Sequence, residues 1–314
     1  MWFKNLRLYR LTRPFKLTAE QLNEQLEQQA FYDCPRLQPF SYGWAPPMGR
    51  HGRLLAHAAN GRILLCARKE EKILPAGVIR DMVQDKVAGL EEERMRKVGR
   101  RERNMIRDEI LQDLMPRALC RSSHTYAYIA PEEGILVVDV TSQVRAEELL
   151  GLLRKTLGSL AVTPVAVQQA PAAIMTRWLT ERAVPEGFGL GSECVLRDIG
   201  EDAGIVRCRN QELLGSEIRA HLDAGKQVVR LAMQWNGVLS LVLDEDMSIK
   251  RLRFSDIVEE QAADITGDDE AARFDNDFAI MTLELARFIP ALTELFGGLE
   301  DTDSDQRADN LVAA

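Results

Sequence analysis

Two Asn-Gly pairs constrain the fold more than any other feature of this sequence. Asn60 with Gly61 and Asn236 with Gly237 each lie between two apolar runs. Asparagine and glycine tolerate the positive φ angles that a two-residue hairpin turn requires, so each pair predicts two antiparallel strands. The flanking runs are 54–59 and 62–67 for the first pair, and 228–235 and 238–243 for the second.

Helical patterns alternate with these hairpins. Thr18 followed by Gln21 is typical of a capping box, which begins a helix. Between Pro75 and Pro116 there is no proline, and apolar residues recur at helical spacing, which predicts two helices that meet near Gly99. The other predicted elements are a strand at 2–11, an ordered loop at 34–52, a hairpin at 126–140 with its turn at 131–134, and helices at 146–157 and 274–296.

These elements predict an α+β protein, in which mixed or antiparallel sheets built from β-hairpins pack with helices and a helical pair projects. The expected regions are 1–74 with 117–165 as a first α+β region, 75–116 as a projecting basic helical region, 166–298 as a second α+β region with the long C-terminal helix, and 299–314 as an acidic flexible tail.

The basic N-terminal stretch leaves no apolar segment for a signal peptide or a membrane span, so we expect a cytoplasmic protein that does not enter membranes. Five scattered cysteines without a Cys-x-x-Cys pair predict reduced, mostly buried thiols.

The formal net charge of −8 by itself argues against a nucleic-acid ligand, but the charge is distributed unevenly along the chain. Residues 244–314 carry 6 Lys or Arg against 19 Asp or Glu, while the totals for the chain are 40 and 48. The first 243 residues therefore carry 34 basic and 29 acidic side chains, a net charge of +5. Because phosphate binding depends on the local field, an acidic chain can still present a basic surface.

The densest positive segment is 94–107, where seven Lys or Arg face Glu102 as the one acid. A solvated helix pair and a phosphate-contacting one both fit this pattern. A protein that reads no bases needs many Lys or Arg contacts along the DNA backbone, so the dispersed cations form one candidate set. Its members are Arg68, Lys69, Lys72, Arg96, Lys97, Arg100, Arg101, Arg117, Arg121, Lys155, Lys250, Arg251 and Arg253.

The sequence offers no convincing catalytic or metal-binding group, so we expect neither an enzyme nor a cofactor. His51 and His57 lack a glutamate at metalloprotease spacing, and the alternating glycines at 187–192 lack the dinucleotide-binding spacing. Two aspartate pairs could hold Mg²⁺, but we expect the first in a turn and the second just before a helix, where carboxylates favour the helix dipole. The pairs are Asp244 with Asp246, and Asp275 with Asp277.

Six long segments carry a family resemblance. They are GWAPPMG at 43–49, ANGRILLCARKEEKILP at 59–75, MPRALCR at 115–121, LLRKTLGSL at 152–160, KRLRFSD at 250–256 and RFDNDFAIMTLEL at 273–285. In this order they resemble RdgC proteins. The resemblance implies a homodimer closed into a ring whose positively lined hole admits duplex DNA without sequence preference. It also implies association with the nucleoid, binding of single-stranded DNA and restraint of the strand-exchange recombinase RecA.

The resemblance further implies roles for individual residues. The segment 75–116 matches a helical region that forms one dimer contact in the family, and Leu119 stands near that contact where an aromatic residue is expected. Arg207, Arg209 and Gln211 match a loop near the DNA, while Asn210 stands where the family also has lysine. Closing a ring from two copies takes two self-complementary contacts.

Two other functions stay open on the sequence alone. A metal-dependent nuclease would act through Asp275, Asp277 or Asp244. A protein-interaction module would use the acidic C-terminal third as its contact surface. Cleavage of plasmid DNA with Mg²⁺ would favour the first, and the absence of a DNA mobility shift at low salt would favour the second.

Overall fold

The computed structural model of the chain describes residues 1–200, 203–258, 260 and 269–300. The first sheet contains β1 (Arg7–Leu11), β2 (Phe40–Ala45), β3 (Ala56–Ala59), β4 (Arg62–Lys72), β5 (Cys120–Ala130), β6 (Ile135–Val138) and β7 (Val162–Pro164). The second contains β8 (Phe188–Arg197), β9 (Ile205–Arg209), β10 (Gln227–Trp235), β11 (Leu239–Asp244) and β12 (Ile249–Phe254). The helices used below are α1 (Ala19–Glu27), α2 (Ala76–Arg94), α3 (Arg100–Leu114), α4 (Gln143–Leu157), α5 (Pro171–Glu181), α6 (Ser216–Asp223) and α7 (Glu270–Glu294).

Both sheets are antiparallel, so the predicted α+β class is confirmed. The first sheet has the strand order β2-β4-β5-β6-β1-β7, and β3 pairs with the first half of β4. The second has the order β12-β11-β10-β8-β9. A bridge between Leu6 and Ile249 joins the segment before β1 to β12.

The two Asn-Gly hairpin turns are confirmed. Asn60 and Gly61 have φ values of 49° and 74°, and Asn236 and Gly237 have 47° and 67°. Positive φ at both central residues defines the type I′ turn, whose twist matches that of the flanking strands. The capping box is confirmed as well, because Thr18 and Gln21 exchange both side-chain hydrogen bonds at the start of α1.

Helix α7 lies between the two sheets. Its Phe278 ring packs edge-on against Tyr128 of β5 with centroids 6.2 Å apart, and its Phe288 ring packs against Trp235 of β10 at 5.4 Å. Helices α1 and α4 cover the other face of the first sheet. The layers therefore run from α1 and α4 through the first sheet to α5 and α7 and then to the second sheet. The predicted stripe of α7 is buried, namely Phe278, Met281, Leu285, Phe288, Ile289 and Leu292.

Helices α2 and α3 form the predicted helical pair and pack on each other. Their small core consists of Val87, Ile106 and Ile110, which form a cluster separate from the two large cores. Gly99 caps α3, so the predicted meeting point of the two helices is confirmed. The ring-shaped homodimer stays a prediction.

Two predicted boundaries near the N-terminus are wrong. The region 34–52 contains β2, because its prolines flank residues 40–45 and leave that stretch able to pair with β4. Gly43 is required there, since a Cβ atom would come within 2.7 Å of the Phe31 backbone. The first strand begins at Arg7, because the amides of Lys4 and Asn5 donate to the side chain of Asp139.

Two predictions near the C-terminus are also corrected. Helix α7 begins at Glu270 after the cap Asp269, so Asp275 and Asp277 lie within the helix and do not precede it. Leu299 forms a bridge with Val167, so the predicted flexible tail does not begin at 299. The rest of that tail, 301–314, lies outside the described residues.

All five thiols are free, and Cys66, Cys194 and Cys208 are buried as predicted, whereas Cys34 is partly exposed and Cys120 is exposed. None of the helices in the described part of the chain is long and apolar enough to cross a membrane.

Candidate nucleic-acid interface

The second sheet has one apolar and one charged face, because successive side chains of a strand point to opposite sides. In β8, Cys194 and Leu196 are buried in the core, so Glu193 lies on the other face. Its cross-strand partner Arg209 shares that face, as does Arg207 two residues earlier. We call this surface the cationic face, and it carries Arg197, Arg207, Arg209, Arg230, Lys250, Arg251 and Arg253.

The cationic face is concave. Arg251 of β12 forms a two-bond ion pair with Glu193 of β8, with Nη1 and Oε1 at 3.1 Å. Two strands lie between these residues in the sheet order. Neighbouring strands are about 4.8 Å apart, so Arg251 and Glu193 reach toward each other over about three strand spacings and bridge the face. Beside this bridge lies a cleft of about 460 Å³ whose charged lining is Glu193 with five cations, Arg207, Arg209, Arg230, Lys250 and Arg251.

A β-bulge in β12 directs Arg251 into this cleft. Arg251 has a φ of 52°, and the pairing with β11 shifts by one residue at this point. Its N–H donates to Oδ1 of Asn5, which also lines the cleft. The amide of Asn5 is itself held by Asp139, whose pKa is raised by burial although Asn5 and Lys4 donate to it. Asn5, in the segment before β1, therefore stabilises the bulge through the hydrogen bond from Arg251.

Three of the five cleft cations are neutralised in part. Asp244 accepts from Arg230, with Nη2 and Oδ2 at 3.0 Å, and also pairs with Lys250. The hydrogen bond to Asp244 raises the pKa of Arg230. The hydrogen bond from Arg251 holds the pKa of Glu193 below its usual range. These pairs fix the directions of the side chains before any ligand arrives.

Arg207, Arg209 and Arg253 are the available donors of the cationic face. All three are exposed, and within the described residues they make no direct ion pair or hydrogen bond, although Arg209 adds a weaker attraction to Glu193. A guanidinium presents five N–H donors in a planar fork that fits phosphate. The face can therefore bind anionic oxygens of a polyanion.

The structure places the predicted residues Arg68, Lys69, Lys72, Arg117, Arg121 and Lys155 around β4, β5 and α4, on the first sheet. Here three of the six cations are engaged with other side chains of the described residues. Lys69 pairs with Glu148 at 2.8 Å, Arg121 pairs with Glu71, and the Arg68 guanidinium lies 4.2 Å from the Phe31 ring centroid.

The helical pair carries the predicted residues Arg96, Lys97, Arg100 and Arg101. Glu102 accepts from both Arg94 and Arg96, and Glu91 pairs with Lys97. The high charge of segment 94–107 is thus reduced at its first three cations, while Arg100 and Arg101 are exposed.

Of the predicted loop residues, Gln211 lies just beyond β9 and is half-buried, and its N–H donates to the carbonyl of Ser192. Sequence reasoning missed Arg230 and Arg197. The signal for Arg230 was present, because a lone cation within the apolar run of β10 has to face the open side of a sheet.

Leu119, the predicted dimer contact, is 77% exposed at the start of β5. Its carbonyl accepts from Ile73, which is also exposed. An exposed apolar pair of this kind is available to a partner surface, and its role in a dimer stays a prediction.

The carboxylates considered for a nuclease each contact a different partner. Asp244 is paired with cations, Asp275 contacts Nε2 of His57 at 3.0 Å, and Asp277 pairs with the N-terminal amine. Asp246 accepts from the amide and hydroxyl of Ser248, which confirms its turn role. Among the described residues there is no group of three or more His, Cys, Asp or Glu that could hold a metal ion.

Comparison with known proteins agrees over nearly the whole chain. A family model described as "Putative exonuclease, RdgC" matches residues 1–299. The recombination-associated protein RdgC of Aeromonas hydrophila is 48% identical over 96% of this chain and 100% of its own length. Proteins of the same name from Tolumonas auensis and Yersinia pestis are 47% and 44% identical over 95% of this chain, which covers 99% and 98% of their lengths.

Proposed function

Because this chain belongs to the recombination-associated RdgC family, we propose that it binds duplex DNA without sequence preference through the cationic face. The observation that carries the proposal is the lining of the cleft, where five cations outnumber Glu193 and the Asp244 carboxylate that pairs with two of them. Concave surfaces of one charge concentrate the field, which attracts a polyanion even when the whole chain is acidic.

The same lining favours the DNA backbone over the bases. No aromatic side chain is found among the described residues that line the cleft. Proteins that grip single strands stack the bases on aromatic rings, and each stacked base contributes about 1–3 kcal/mol. Without such rings, Arg and Lys contacts to phosphate are the main source of affinity, and these contacts carry no sequence information. Single-stranded DNA is then bound more weakly.

A ring of two copies would place two cationic faces around one duplex. Leu119 provides an exposed apolar contact at one end of β5, and an isologous interface would use it twice. A duplex whose phosphates are covered in this way is less accessible to RecA, which is how the protein would restrain strand exchange at the nucleoid.

Binding of labelled duplexes at two salt concentrations tests the proposal. Between about 50 and 200 mM monovalent salt, the affinity decreases about 3.5-fold for each phosphate that the protein neutralises, because the released counterions compete for it. Several unrelated duplex sequences should therefore give the same Kd at each salt and the same steep decrease. A marked preference for one sequence, or an affinity insensitive to salt, would contradict phosphate recognition.

Sedimentation equilibrium tests the dimer separately. A homodimer has twice the chain mass of 35.4 kDa. A protein that stays monomeric at micromolar concentration while binding DNA would leave the cationic face as the binding site and exclude the ring.

A nuclease is the second candidate, favoured by the description of the matching family as an exonuclease. Its test is incubation of the pure protein with linear duplex and Mg²⁺. Release of nucleotides that is abolished by Asp275→Ala but retained in Glu284→Ala would support the enzyme. An unchanged substrate under conditions of full binding would leave the binding protein as the better description.

A further inference from the structure

Two of the free thiols lie together on the first sheet, away from the cationic face. In β4 and β5, Lys72 is opposite Cys120 and Glu70 is opposite Ser122, so these four side chains share one face of the sheet. The segment 31–39 crosses that face. Its Cys34 is thereby placed above the same residues.

Hydrogen bonds fix this placement. The amide of Cys34 donates to Oε2 of Glu70 at 2.7 Å, and the amide of Lys72 donates to the carbonyl of Pro39 at 2.8 Å. The segment is thus tied to β4 at Cys34 and at Pro39. The Cys34 thiol lies 3.4 Å from the carbonyl of Gln38, and the Cys120 thiol is near enough to raise the pKa of Cys34.

The two thiols differ in accessibility. Cys120 is exposed, whereas Cys34 is partly covered. Burial is the main reason that the pKa of the Cys34 thiol is raised, and the neighbouring Cys120 raises it further. Lys72 acts in the opposite direction and lowers this pKa. An oxidant therefore meets Cys120 first, and Cys34 is positioned to react second.

We propose that Cys34 and Cys120 form a reversible disulfide when the protein meets a peroxide. The Cys120 thiolate attacks the O–O bond of hydrogen peroxide, takes one oxygen as a sulfenic acid and releases hydroxide, which becomes water. The Cys34 thiolate then attacks the Cys120 sulfur, so that the S–O bond breaks, the S–S bond forms and a second water leaves. Two thiols are oxidised and one hydrogen peroxide is reduced to two waters.

The cross-link would fasten segment 31–39 to the start of β5, one residue from Leu119. Oxidation would therefore act beside the exposed apolar contact. The proposal does not depend on DNA binding, because none of these residues lines the cleft of the cationic face.

The molecule contains an internal control in Cys194 and Cys208. These two face each other across β8 and β9 but are 1% and 9% exposed. Burial raises the pKa of Cys194 to about 12, and Cys208 adds to the rise. Proximity without access should leave this pair reduced in the folded protein.

Peptide mapping tests the proposal. The folded chain is treated with hydrogen peroxide, remaining thiols are blocked with iodoacetamide, and an unreduced digest is analysed by mass spectrometry. We expect a Cys34 peptide joined to a Cys120 peptide with the loss of two hydrogen atoms, abolished by dithiothreitol, while Cys194 and Cys208 are recovered unoxidised. In Cys34→Ser, dimedone should trap the sulfenic acid of Cys120, and in Cys120→Ser the cross-link should be absent.

Two results would overturn it. One is a wild-type chain in which dimedone traps Cys120 as fully as in Cys34→Ser, since this would show that Cys34 does not react. The other is a Cys120 disulfide between two chains in place of the internal one.

Discussion

Removal of Arg207 and Arg209 should weaken DNA binding by an amount that follows from the geometry of the cleft. Both are exposed and make no ion pair within the described part of the chain, so their charges are available to phosphate. Each phosphate contact contributes about 0.9 to the slope of log K against log salt, which corresponds to about eightfold in Kd at about 0.1 M salt. That factor is about 1.2 kcal/mol.

We therefore expect Arg207→Ala to raise Kd about eightfold and the double variant with Arg209→Ala about sixtyfold at about 0.1 M salt. The slope should fall by about 0.9 and 1.8 for one engaged copy, and by twice as much if two copies grip one duplex. Fluorescence anisotropy with a labelled duplex across a salt series measures both quantities. Because the side chains are exposed, the melting temperature should not change.

Arg287→Ala is the matched control. This arginine is exposed on α7, pairs with Glu284, and belongs to the helix that covers the opposite face of the second sheet. Its removal should leave the slope unchanged. If Arg287→Ala reduced the slope as much as Arg207→Ala, binding would follow net charge and the cationic face would not be the site.

Four further changes have directions set by the structure. Glu193→Gln should release Arg251 and increase the salt slope by about 0.9, measured in the same anisotropy series; an unchanged slope would show that Arg251 does not reach phosphate. Leu119→Ser should shift the sedimentation equilibrium toward monomer with a change in stability below about 0.5 kcal/mol, since the side chain is exposed; a persistent dimer would exclude this contact. Phe278→Ala should lower the free energy of unfolding in urea by about 3–5 kcal/mol, because it fills the space between the sheets, and a decrease below about 1 kcal/mol would contradict that packing. Burial raises the pKa of Asp139 above its unfolded value, so the native state keeps the carboxyl proton up to a higher pH than the unfolded state does. The stability that this proton contributes is therefore lost as pH rises through the native pKa. Urea titrations from pH 4 to 7 should therefore show the stability of Asp139→Asn increasing relative to wild type, and a difference independent of pH would refute the shift.

The acidic net charge and the cationic face are compatible because the second sheet collects cations from both the basic and the acidic parts of the sequence. Lys250, Arg251 and Arg253 lie in the acidic C-terminal stretch of the sequence, yet β12 brings them to the same surface as Arg207 and Arg209. Asp244 and Glu193 are turned toward these cations and orient them. The field at the cleft is thus decided by about six side chains and not by the chain total.

Much of the fold follows from local signals in the sequence. The turns at Asn60 and Asn236, the cap at Thr18 and the stripe of α7 were all predictable, because positive φ, capping and helical periodicity are properties of a few adjacent residues. The start of α7 was not, since its first turn contains none of the large apolar residues of the stripe and only the cap at Asp269 marks it.

The sequence by itself determined the residue types of the site, the family and the antiparallel hairpins. Only the tertiary structure decided which cations converge. Arg68 and Arg251 look alike in the sequence, yet one stacks on Phe31 and the other lines the cleft. The reason is physical: strand alternation fixes the face on which a side chain lies, but which side chains of β12 and β8 meet across that face depends on contacts between residues more than fifty positions apart.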